Sequence, residues 1–552
     1  MRPLFITLAV LLAIAPALAA ETFNPRTISY VNLDYREFGN VTVQPTTATE
    51  IQNLELNLFT FPRQTDTISV RNLKTNPNAN IETARGEQAQ VYRFGNLAAG
   101  SYNFELTADV TSEIFFPKIT KKIQFPYAVP DDIRQFAIPT EKTESDDPEI
   151  KQVANNLAAG EDDAFKLAAK IAKWVHESVE YDESQWVGVA SAKDVLRTRK
   201  GVCDEFTNLF MALVRSLGMP ARYKVGSVYT NLPAVNDFQY HAWAEVWFPE
   251  YGWVPFDPTF AEYGWIDPTH ITVRTSQIVE PVAVSYTWRG GTVKADGPDT
   301  EIKILEKTQN GGRFVSTKSW LQFDETSLDS SNIIWAEVEN PTKFYVHTAV
   351  WLAKAPKVEG DNERDVILAP GEKQVIGWLI QPSEPLSENF IYTYTIETNA
   401  LFGENTTTNW KLQAGSLNIM TSSEAEAKLR ESETAKEVKG TPKIAVEIGL
   451  PAEEYVGNNF IISLNIKNMG NAPEERFEAC LDSKCKSLYI GINDNLQYNL
   501  TGMTAVGNNT HTVRLKWTEL DELRAVSFTG KPKPFWIIII EFFKSLFAVH
   551  PK

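Results

Sequence analysis

Apolar and polar residues alternate along residues 21–128, as in the stretches IQNLELNLFTF and GSYNFELTADV, with turn residues between the runs. A period of two is typical of strands that bury one face. Because no helical period interrupts this region, the pattern predicts a β-sandwich. The same alternation returns over residues 300–417 and 441–520 and predicts two further sandwiches. The intervening segment 418–440 is charged and poor in large apolar residues, so we expect a solvated spacer or a loose helix there.

The period changes between the first two sandwiches. A Pro-rich linker, FPYAVPDDIRQFAIPTE, leads into EDDAFKLAAKIAKWVHESVEYD, whose apolar residues recur at helical spacing behind an acidic first turn. A second amphipathic helix follows Cys203 and ends at LGMP, and the strand-like runs ARYKVGSVYT, HAWAEVWFP and GWVPFDPTF come after it. Helices followed by antiparallel strands predict an α+β domain over residues 129–290, flanked by all-β modules.

Both ends of the chain carry apolar segments. Residues 1–20 combine Arg2, a short apolar run and an Ala-Leu-Ala sequence, which predicts a secretory signal peptide, with an uncleaved membrane anchor as the alternative. Residues 531–552 contain an apolar block that is too short for a full membrane span and is interrupted by Glu541 and Lys544. This block would be a short anchor, a helix lying in the membrane interface or a partner-binding helix, and we favour membrane association. We therefore expect an exported protein at the cell surface.

The composition of the 552-residue chain narrows the classes of partner. It is 43% hydrophobic and 22% charged, as in ordinary globular proteins, and it is too long for one hydrophobic core. A net charge of −17 argues against nucleic acid as a partner. Four N-x-[ST] sequons, at Asn40, Asn405, Asn499 and Asn508, would matter only in a host that glycosylates exported proteins.

Only three cysteines occur in the chain. Cys480 and Cys485 lie close together within strand-like sequence, and in an exported protein we expect them to form a disulfide. A metal pair is the less favoured alternative, because no other Cys or His cluster lies nearby in the sequence. Cys203 is left without a partner, and it is therefore either a buried inert thiol or a reactive one.

Cys203 follows a Gly turn in the sequence RKGVCDEFTNLF, at the predicted start of a helix. Free backbone N–H groups at a helix N-terminus lower the pKa of a thiol, whereas the neighbouring acids Asp204 and Glu205 act in the opposite direction. We interpret these two acids as helix-start residues. The cysteine therefore needs a base before it can act as a nucleophile.

His241 is the candidate base. It opens the strand HAWAEVWFP, in which His241, Trp243 and Glu245 share one face, while the small and apolar residues of the other face are suited to packing on the helix. A catalytic histidine needs a carboxylate or an amide that fixes its tautomer. Asp257 ends the next strand, where a hairpin would bring it alongside His241. We expect Trp243 and Glu245 to support the fold or the groove.

The sequences GVCDEFTNLFMALVRSLGMPARYKVG and HAWAEVWFPEYGWVPFDPT resemble the core of the transglutaminase-like superfamily. Its members carry a G-x-C helix start, an R-x-x-G-[IM]-P-A-R helix end, an H-x-W-x-E-[VI] strand and a G-W…D-P-T strand, and all four motifs stand here in order. The resemblance covers roughly residues 160–270. It implies a papain-like α+β core in which Cys203, His241 and Asp257 form a catalytic triad.

The resemblance also implies an oxyanion site. One donor would be the backbone N–H of Cys203. Members of the superfamily often place a Gln or a Trp upstream of the nucleophile helix as the second donor, and the sequence ESQWVG offers Gln185 and Trp186. We favour Gln185.

Several other residues receive structural interpretations. His176 is expected on a partly exposed helix face, and His347 and His511 are expected in the sandwiches without acidic or thiol neighbours. Arg222 is expected to order the strand after the helix, with a substrate role as the alternative. The sequence contains no Gly-rich phosphate loop after a strand and no clustered metal motif, so we expect no cofactor. The acidic loops ESDDPE and EDD would be the sites for a calcium ion, but solvated linkers and helix caps explain these loops better.

These residues indicate acyl transfer through a thioester. Hydrolysis of the thioester would make the protein a peptidase or amidase with protein or peptide substrates, which we favour, whereas attack by a lysine amine would make it a crosslinking transglutaminase. A binding protein is the alternative from a different class. The strand-turn-strand pattern around NIKNMGNAPE resembles the Ig-like adhesion modules of bacterial and archaeal surface proteins. If the thiol domain were inactive, the chain would be a surface adhesin.

Overall fold

A computed structural model describes residues 24–44, 51–185, 188–232, 235–279, 283–309, 312–434, 440–451, 454–505, 507–518 and 520–534. The expected signal peptide at residues 1–20 and the apolar block beyond residue 534 lie outside the described residues. Within the ranges that are described, no helix is both long enough and apolar enough to cross a membrane.

The first six strands form most of a two-sheet module. They are β1 (Ile28–Gln44), β2 (Gln52–Leu58), β3 (Ile68–Asn76), β4 (Ala79–Ala84), β5 (Glu87–Phe94) and β6 (Gly100–Glu113). β6 lies between β1 and β3 in one sheet, and β5 lies between β2 and β4 in the other. Buried side chains from both sheets, among them Val41, Leu56 and Phe104, meet in a shared core, as the period of two predicts.

The central domain consists of helices followed by antiparallel strands. Its elements are α1 (Asp131–Arg134), α2 (Pro148–Ala158), α3 (Ala164–Ser178), β7 (Glu180–Tyr181), α4 (Ala192–Thr198), β8 (Lys200–Gly201), α5 (Cys203–Ser216), β9 (Ala221–Leu232), β10 (Val235–Phe248), β11 (Gly252–Asp257), β12 (Glu262–Tyr263) and β13 (Ile271–Ser276). The last five strands form one sheet in the order β12-β11-β10-β9-β13. α5 is buried along almost its whole length, and its apolar side chains share a core with α3 and with Ala242, Ala244 and Val246 of β10. The predicted α+β core is confirmed.

Three strands beyond the central domain return to the first module. They are β14 (Val284–Arg289), β15 (Thr292–Ala295) and β16 (Asp299–Gln309). β14 pairs with β2, and both β15 and β16 pair with β1. The predicted boundaries at residues 128, 290 and 300 do not assign these three strands to the first module. Alternation identifies a strand, but it does not show which sheet the strand joins. The central domain is thus inserted into the first module.

The second module also has two sheets. Its strands are β17 (Ser316–Leu321), β18 (Glu325–Thr326), β19 (Asn332–Glu339), β20 (Val346–Lys354), β21 (Lys357–Glu359), β22 (Glu363–Leu368), β23 (Lys373–Gln381), β24 (Tyr392–Ala400) and β25 (Thr406–Leu412). The sheet orders are β17-β19-β23-β21 and β18-β25-β24-β20-β22. The charged segment forms helix α6 (Ser422–Thr434), whose Ala425 is buried against Trp335 and Leu379 of the first of these sheets.

The third module is built on the same plan. Its strands are β26 (Ile444–Gly449), β27 (Glu454–Tyr455), β28 (Asn459–Asn468), β29 (Glu474–Leu481), β30 (Lys484–Ile490), β31 (Asn495–Met503), β32 (Gly507–Trp517) and β33 (Leu520–Lys531). Sheets β26-β28-β31 and β27-β33-β32-β29-β30 enclose one core. Cys480 and Cys485 lie opposite each other on β29 and β30 and form a disulfide, which confirms that prediction.

Gly226 lies in β9 directly opposite His241 of β10. A Cβ at this position would lie 2.2 Å from the carbonyl oxygen of Ile271 on β13 and 2.7 Å from the ring of Trp243. Neither the hydrogen-bonded backbone of β13 nor the fully buried indole of Trp243 can move away from the added methyl group. We therefore expect Gly226→Ala to lower the free energy of unfolding by about 1–3 kcal/mol. Chemical denaturation measures the change. Gly95→Ala, whose added Cβ would meet nothing within 4 Å, is the control with an expected change under about 0.5 kcal/mol, and equal stability of the two variants would contradict the prediction.

Candidate active site

Cys203 is the first residue of α5, and only 6% of its surface is exposed. The preceding residue, Val202, is the N-cap but has no side-chain acceptor. The carboxylate of Glu205 closes the helix start, because it accepts hydrogen bonds from the backbone N–H groups of Val202 at 2.9 Å and Ala190 at 2.8 Å. A Cβ on Gly201 would lie 2.3 Å from Cβ of Glu205, so this glycine permits the carboxylate to fold back. Glu205 is therefore a helix-start residue.

Asp204 shapes the electrostatics next to the thiol. Its Oδ1 accepts a hydrogen bond from the hydroxyl of Tyr223, which is in turn hydrogen-bonded to Tyr240. Burial and, after it, the negative charge of Asp204 raise the pKa of the Cys203 thiol well above its ordinary value, while a backbone hydrogen bond at Ala242 acts in the opposite direction. The thiol therefore keeps its proton until a base removes it.

His241 and Asp257 are in contact across the hairpin of β10 and β11. Nε2 of His241 lies 2.6 Å from Oδ2 of Asp257, and both side chains are buried. Oδ1 of Asp257 accepts backbone hydrogen bonds from Thr259 and Phe260, and the ring of Phe260 stacks on His241 at 4.6 Å. Burial opposes ionisation of Asp257, but the charge of His241 and hydrogen bonds from His241 and His270 hold its pKa well below the ordinary value. These contacts fix the imidazole and leave Nδ1 of His241 for another partner.

Cys203 and His241 line the same cavity, which has a volume of about 490 Å³. On α5, the Thr207 hydroxyl donates a hydrogen bond of 3.0 Å to the carbonyl oxygen of Ala242, which fastens the helix to β10 beside His241. The remaining walls are mostly apolar or aromatic and include two carboxylates, and they are formed by His176, Val179, Tyr181, Glu183, Asp204, Phe206, Val228, Thr230, Gln239, Tyr240, Thr259 and Phe260. The cavity offers a largely apolar space next to the thiol.

Of two residues discussed in the sequence analysis, the structure describes the side chain of His176 but not that of Gln185. His176 is half-buried, as the helical pattern predicts, and it lines the cavity, with Nδ1 at 3.0 Å from the carbonyl oxygen of Pro258. Gln185 ends a 3₁₀ turn, Glu183–Gln185, but its side chain lies outside the described part of the structure, as does Trp186. The second oxyanion donor therefore stays a prediction.

The prediction that His347 and His511 lack acidic neighbours is wrong. Nε2 of His347 lies 2.9 Å from Oδ1 of Asp365, and Nδ1 of His511 lies 2.8 Å from Oδ2 of Asp482. These aspartates come from other strands or turns, so their proximity is invisible in the linear sequence. Neither histidine is among the described residues that line the Cys203 cavity.

Arg222 and Glu245 contact each other across β9 and β10. Their Nε and Oε2 atoms are 2.6 Å apart, and the two residues are direct partners in the strand register. The guanidinium of Arg222 also lies over the ring of Trp253 at 4.2 Å, and Nζ of Lys224 lies 3.5 Å from Glu245. Trp243 is fully buried. These contacts are the supporting ones that the strand pattern leads us to expect.

His270 is missing from the sequence-based predictions, although it is buried beside Asp257. Its Nε2 lies 3.1 Å from Oδ2 of Asp257. The sequence did contain a signal, since D-P-T occurs at residues 257–259 and again at 267–269, directly before His270. In both copies the aspartate accepts a hydrogen bond from the backbone N–H of the threonine two residues later.

Two groups of buried side chains present possible metal ligands. His241, Asp257 and His270 form one group, and Glu262, Asp267 and His270 form the other, with ligand atoms within 4.8 Å of one another in each group. Each of the two acidic loops considered for calcium contains a helix N-cap. Asp147 caps α2 and Asp163 caps α3 through hydrogen bonds to backbone N–H groups.

The charge of Asp204 gives a pH-dependent prediction. Because this carboxylate raises the pKa of Cys203, we expect Asp204→Asn to lower that pKa, and alkylation of Cys203 by iodoacetamide should reach its half-maximal rate at a lower pH than in the wild type. The amide oxygen can still accept the hydrogen bond from Tyr223. Mass spectrometry of the Cys203 peptide over a pH series measures the rate. Glu183→Gln, at the exposed rim of the cavity, is the control, and an unchanged or upward-shifted profile for Asp204→Asn would contradict the prediction.

The central domain is similar in sequence to known proteins. Residues 151–258, which contain Cys203, His241 and Asp257, match the model of the transglutaminase-like superfamily. A 92-residue segment is 36% identical to uncharacterized protein YebA of Bacillus subtilis and covers 14% of this chain and 12% of that protein. A 102-residue segment is 33% identical to a protein-glutamine gamma-glutamyltransferase of Pseudomonas aeruginosa and covers 17% of this chain and 15% of that protein. These matches span well under half of each relative's own length.

Among solved structures, a protein of Cytophaga hutchinsonii provisionally named a cysteine protease is 18% identical. The similarity covers 50% of this chain and 91% of that one, with a TM-score of 0.39. The match over residues 151–258 identifies the central domain of this chain as a transglutaminase-like domain, carried among β-rich modules.

Proposed function

We propose that the protein is an exported thiol enzyme that acts on amide bonds of proteins or peptides through a thioester at Cys203. One observation carries the proposal: Cys203 and His241 line one cavity, while His241 lies 2.6 Å from Asp257. A thiol at a helix start, an imidazole and a carboxylate are the three groups that this chemistry requires.

The proposed reaction begins with the thiol proton. It passes from Cys203 to Nδ1 of His241 as Sγ bonds to the carbonyl carbon of the amide. The carbon–nitrogen bond then breaks, and His241 returns the proton to the departing amine or ammonia. Asp257 keeps its negative charge and orients the imidazole throughout. The backbone N–H of Cys203, in the first turn of α5, would stabilise the oxyanion, with Gln185 as the proposed second donor.

The group that attacks the thioester determines the class of enzyme. Water, activated by His241, would release a carboxylic acid and restore the thiol, and we favour this hydrolysis. A lysine amine would instead form a new amide bond and crosslink two proteins. This second candidate is favoured by the Pseudomonas aeruginosa relative, which is named a protein-glutamine gamma-glutamyltransferase.

We place this activity outside the cytoplasm, with membrane association through residues 531–552. The signal-like sequence of residues 1–20 supports export. The disulfide between Cys480 and Cys485 supports it independently, because such bonds persist in oxidising compartments. The two-sheet modules would then present the central domain at the cell surface.

Product analysis by mass spectrometry tests the proposal. The purified chain is incubated with dimethylated casein and a biotinylated primary amine, and Cys203→Ala serves as the blank. Peptide cleavage, or conversion of glutamine to glutamate without amine incorporation, would support hydrolysis. Incorporation of the amine would support crosslinking. A wild-type protein that forms none of these products would contradict the enzyme proposal and support the surface-binding alternative.

A further inference from the structure

The cavity beside Cys203 carries more negative than positive charge. Two carboxylates, Glu183 and Asp204, lie among its walls, and apart from histidines none of the described lining residues is basic. The stretches 185–187 and 231–236, whose side chains the structure does not describe, contain no charged residue in the sequence. A charged substrate group that enters this cavity therefore meets an acidic surface.

Glu183 differs from the acidic residues that precede it. It begins the 3₁₀ turn after β7 and is exposed, and within the described part of the chain no cation forms an ion pair with it. Glu180 and Asp182, in contrast, both pair with Nζ of Lys200, at 3.4 and 3.3 Å. Because Lys200 is held by these two carboxylates, it does not neutralise the charge of Glu183.

Two arginines of the central domain are also engaged elsewhere. The guanidinium of Arg199 lies over the ring of Trp174 at 4.6 Å. Nη2 of Arg274 lies 2.8 Å from a carboxylate oxygen of Glu87 in the first module. Neither arginine is among the described residues that line the cavity. They therefore do not offset the two carboxylates in the cavity wall.

Exposed aromatic rings lie in the same walls as these carboxylates. Tyr181 and Tyr240 both line the cavity and remain 41% and 57% exposed. The ring of Tyr181 contacts that of Phe206 at 6.2 Å, and β7, which carries Tyr181, pairs with β8 directly before the nucleophile helix. An ammonium or guanidinium group is attracted to the face of such a ring, and the methylene groups of lysine and arginine pack against apolar walls. Carboxylates together with exposed aromatic rings thus form a surface suited to a basic side chain.

We propose that the acyl donor of this enzyme is a basic peptide segment, with a lysine or arginine side chain next to the amide that Cys203 attacks. The cation lies against Glu183 and the ring of Tyr181 at the exposed side of the cavity, while the amide reaches the thiol. Asp204, whose Oδ1 accepts a hydrogen bond from Tyr223, adds to the attraction through its charge. The inference rests on the proposed function and names its substrate class.

Charged thiol reagents test the acidic surface without any turnover. A methanethiosulfonate with a trimethylammonium group and one with a sulfonate group both modify Cys203, and mass spectrometry gives the two rates. In Glu183→Lys we expect the ratio of the cationic to the anionic rate to fall about tenfold relative to the wild type, because an attraction is replaced by a repulsion. The ratio cancels any change in the reactivity of the thiol itself. An unchanged ratio would overturn the proposal.

A matched pair of peptides tests the substrate class. Each peptide carries one glutamine, and the two differ only in having arginine or glutamate on both sides of it. We expect kcat/KM of the wild type to be at least about tenfold higher for the arginine peptide, measured by mass spectrometry of the products. The preference should weaken between about 50 and about 500 mM salt, because ions screen exposed charges. In Glu183→Lys the preference should be lost or reversed.

Glu141→Lys is the matched control for the charge reversal. It changes the net charge by the same amount, at an exposed residue of the central domain that is not among the described residues lining the cavity. We expect wild-type values for both the reagent ratio and the peptide preference. An equal loss of preference in the two variants, or a wild-type preference in Glu183→Lys, would overturn the proposal. Should Glu183→Lys fail to fold, Glu183→Gln removes the charge alone and should lower the reagent ratio about threefold.

The peptide experiment also separates this inference from the proposed function. A wild-type protein that acts on casein and converts both peptides at equal rates would overturn only the preference for basic peptides. A wild-type protein that forms no product from casein or from either peptide would contradict the proposed function, and the inferred substrate class with it.

Discussion

Replacing Cys203 by alanine is expected to lower kcat/KM for amide cleavage or amide transfer by at least about 1,000-fold. In the proposed reaction the sulfur of Cys203 forms the thioester, and the only other cysteines of the chain are joined to each other in the disulfide. No second thiol is therefore free to replace it. The rate of product formation, measured by mass spectrometry on a fixed casein substrate, gives the ratio between variant and wild type.

The disulfide supplies a matched control for this substitution. The double variant Cys480→Ser with Cys485→Ser also removes cysteine sulfur, but in the third module. Because the disulfide closes only a short loop, we expect a modest loss of stability and an unchanged kcat/KM. Near wild-type activity in Cys203→Ala would move the nucleophile away from Cys203 and would refute the proposed thioester.

The second large effect is expected at Asp257. Asp257→Asn preserves the size of the side chain and one oxygen for the backbone N–H groups of Thr259 and Phe260. An amide N–H opposite Nε2 of His241 would favour the tautomer with its proton on Nδ1, and this nitrogen could no longer accept the proton of Cys203. We expect kcat to fall by about 1,000- to 10,000-fold, measured as the rate of the first turnover.

Asp365→Asn controls for the general effect of altering a buried histidine–aspartate pair. Asp365 lies 2.9 Å from His347 in the second module, and neither residue lines the cavity of Cys203 among the residues described. We expect this variant to retain its kcat. If both asparagine variants lose activity to the same extent, the loss at Asp257 would reflect destabilisation of the fold and not a change of tautomer.

The contacts that the sequence predicted well are those fixed by local geometry. A short turn joins β10 and β11, and it sets the register so that Asp257 arrives beside His241. The apolar face of β10 and the helical spacing after Cys203 likewise identified the surfaces that pack together. In each case the relevant residues are close in sequence or share one period.

The contacts that were missed depend on distant pairing. The pairing of His347 with Asp365 and of His511 with Asp482 depends on which strands and turns are neighbours, and no period encodes this choice. The approach of His270 to Asp257 depends on the loop between β12 and β13, which has no periodic pattern. For the same reason, alternation did not reveal that β14 to β16 return to the first module.

The strands on the two sides of β1 become available at very different times during synthesis. β6 emerges from the ribosome before the central domain, whereas β16, which pairs with residues 28–38, emerges after it. One edge of β1 therefore stays unpaired until the whole central domain has been synthesised. An unpaired strand edge readily pairs with other chains. We expect shortened forms that end before residue 284 to aggregate, so a soluble fragment containing the central domain should extend through residue 309.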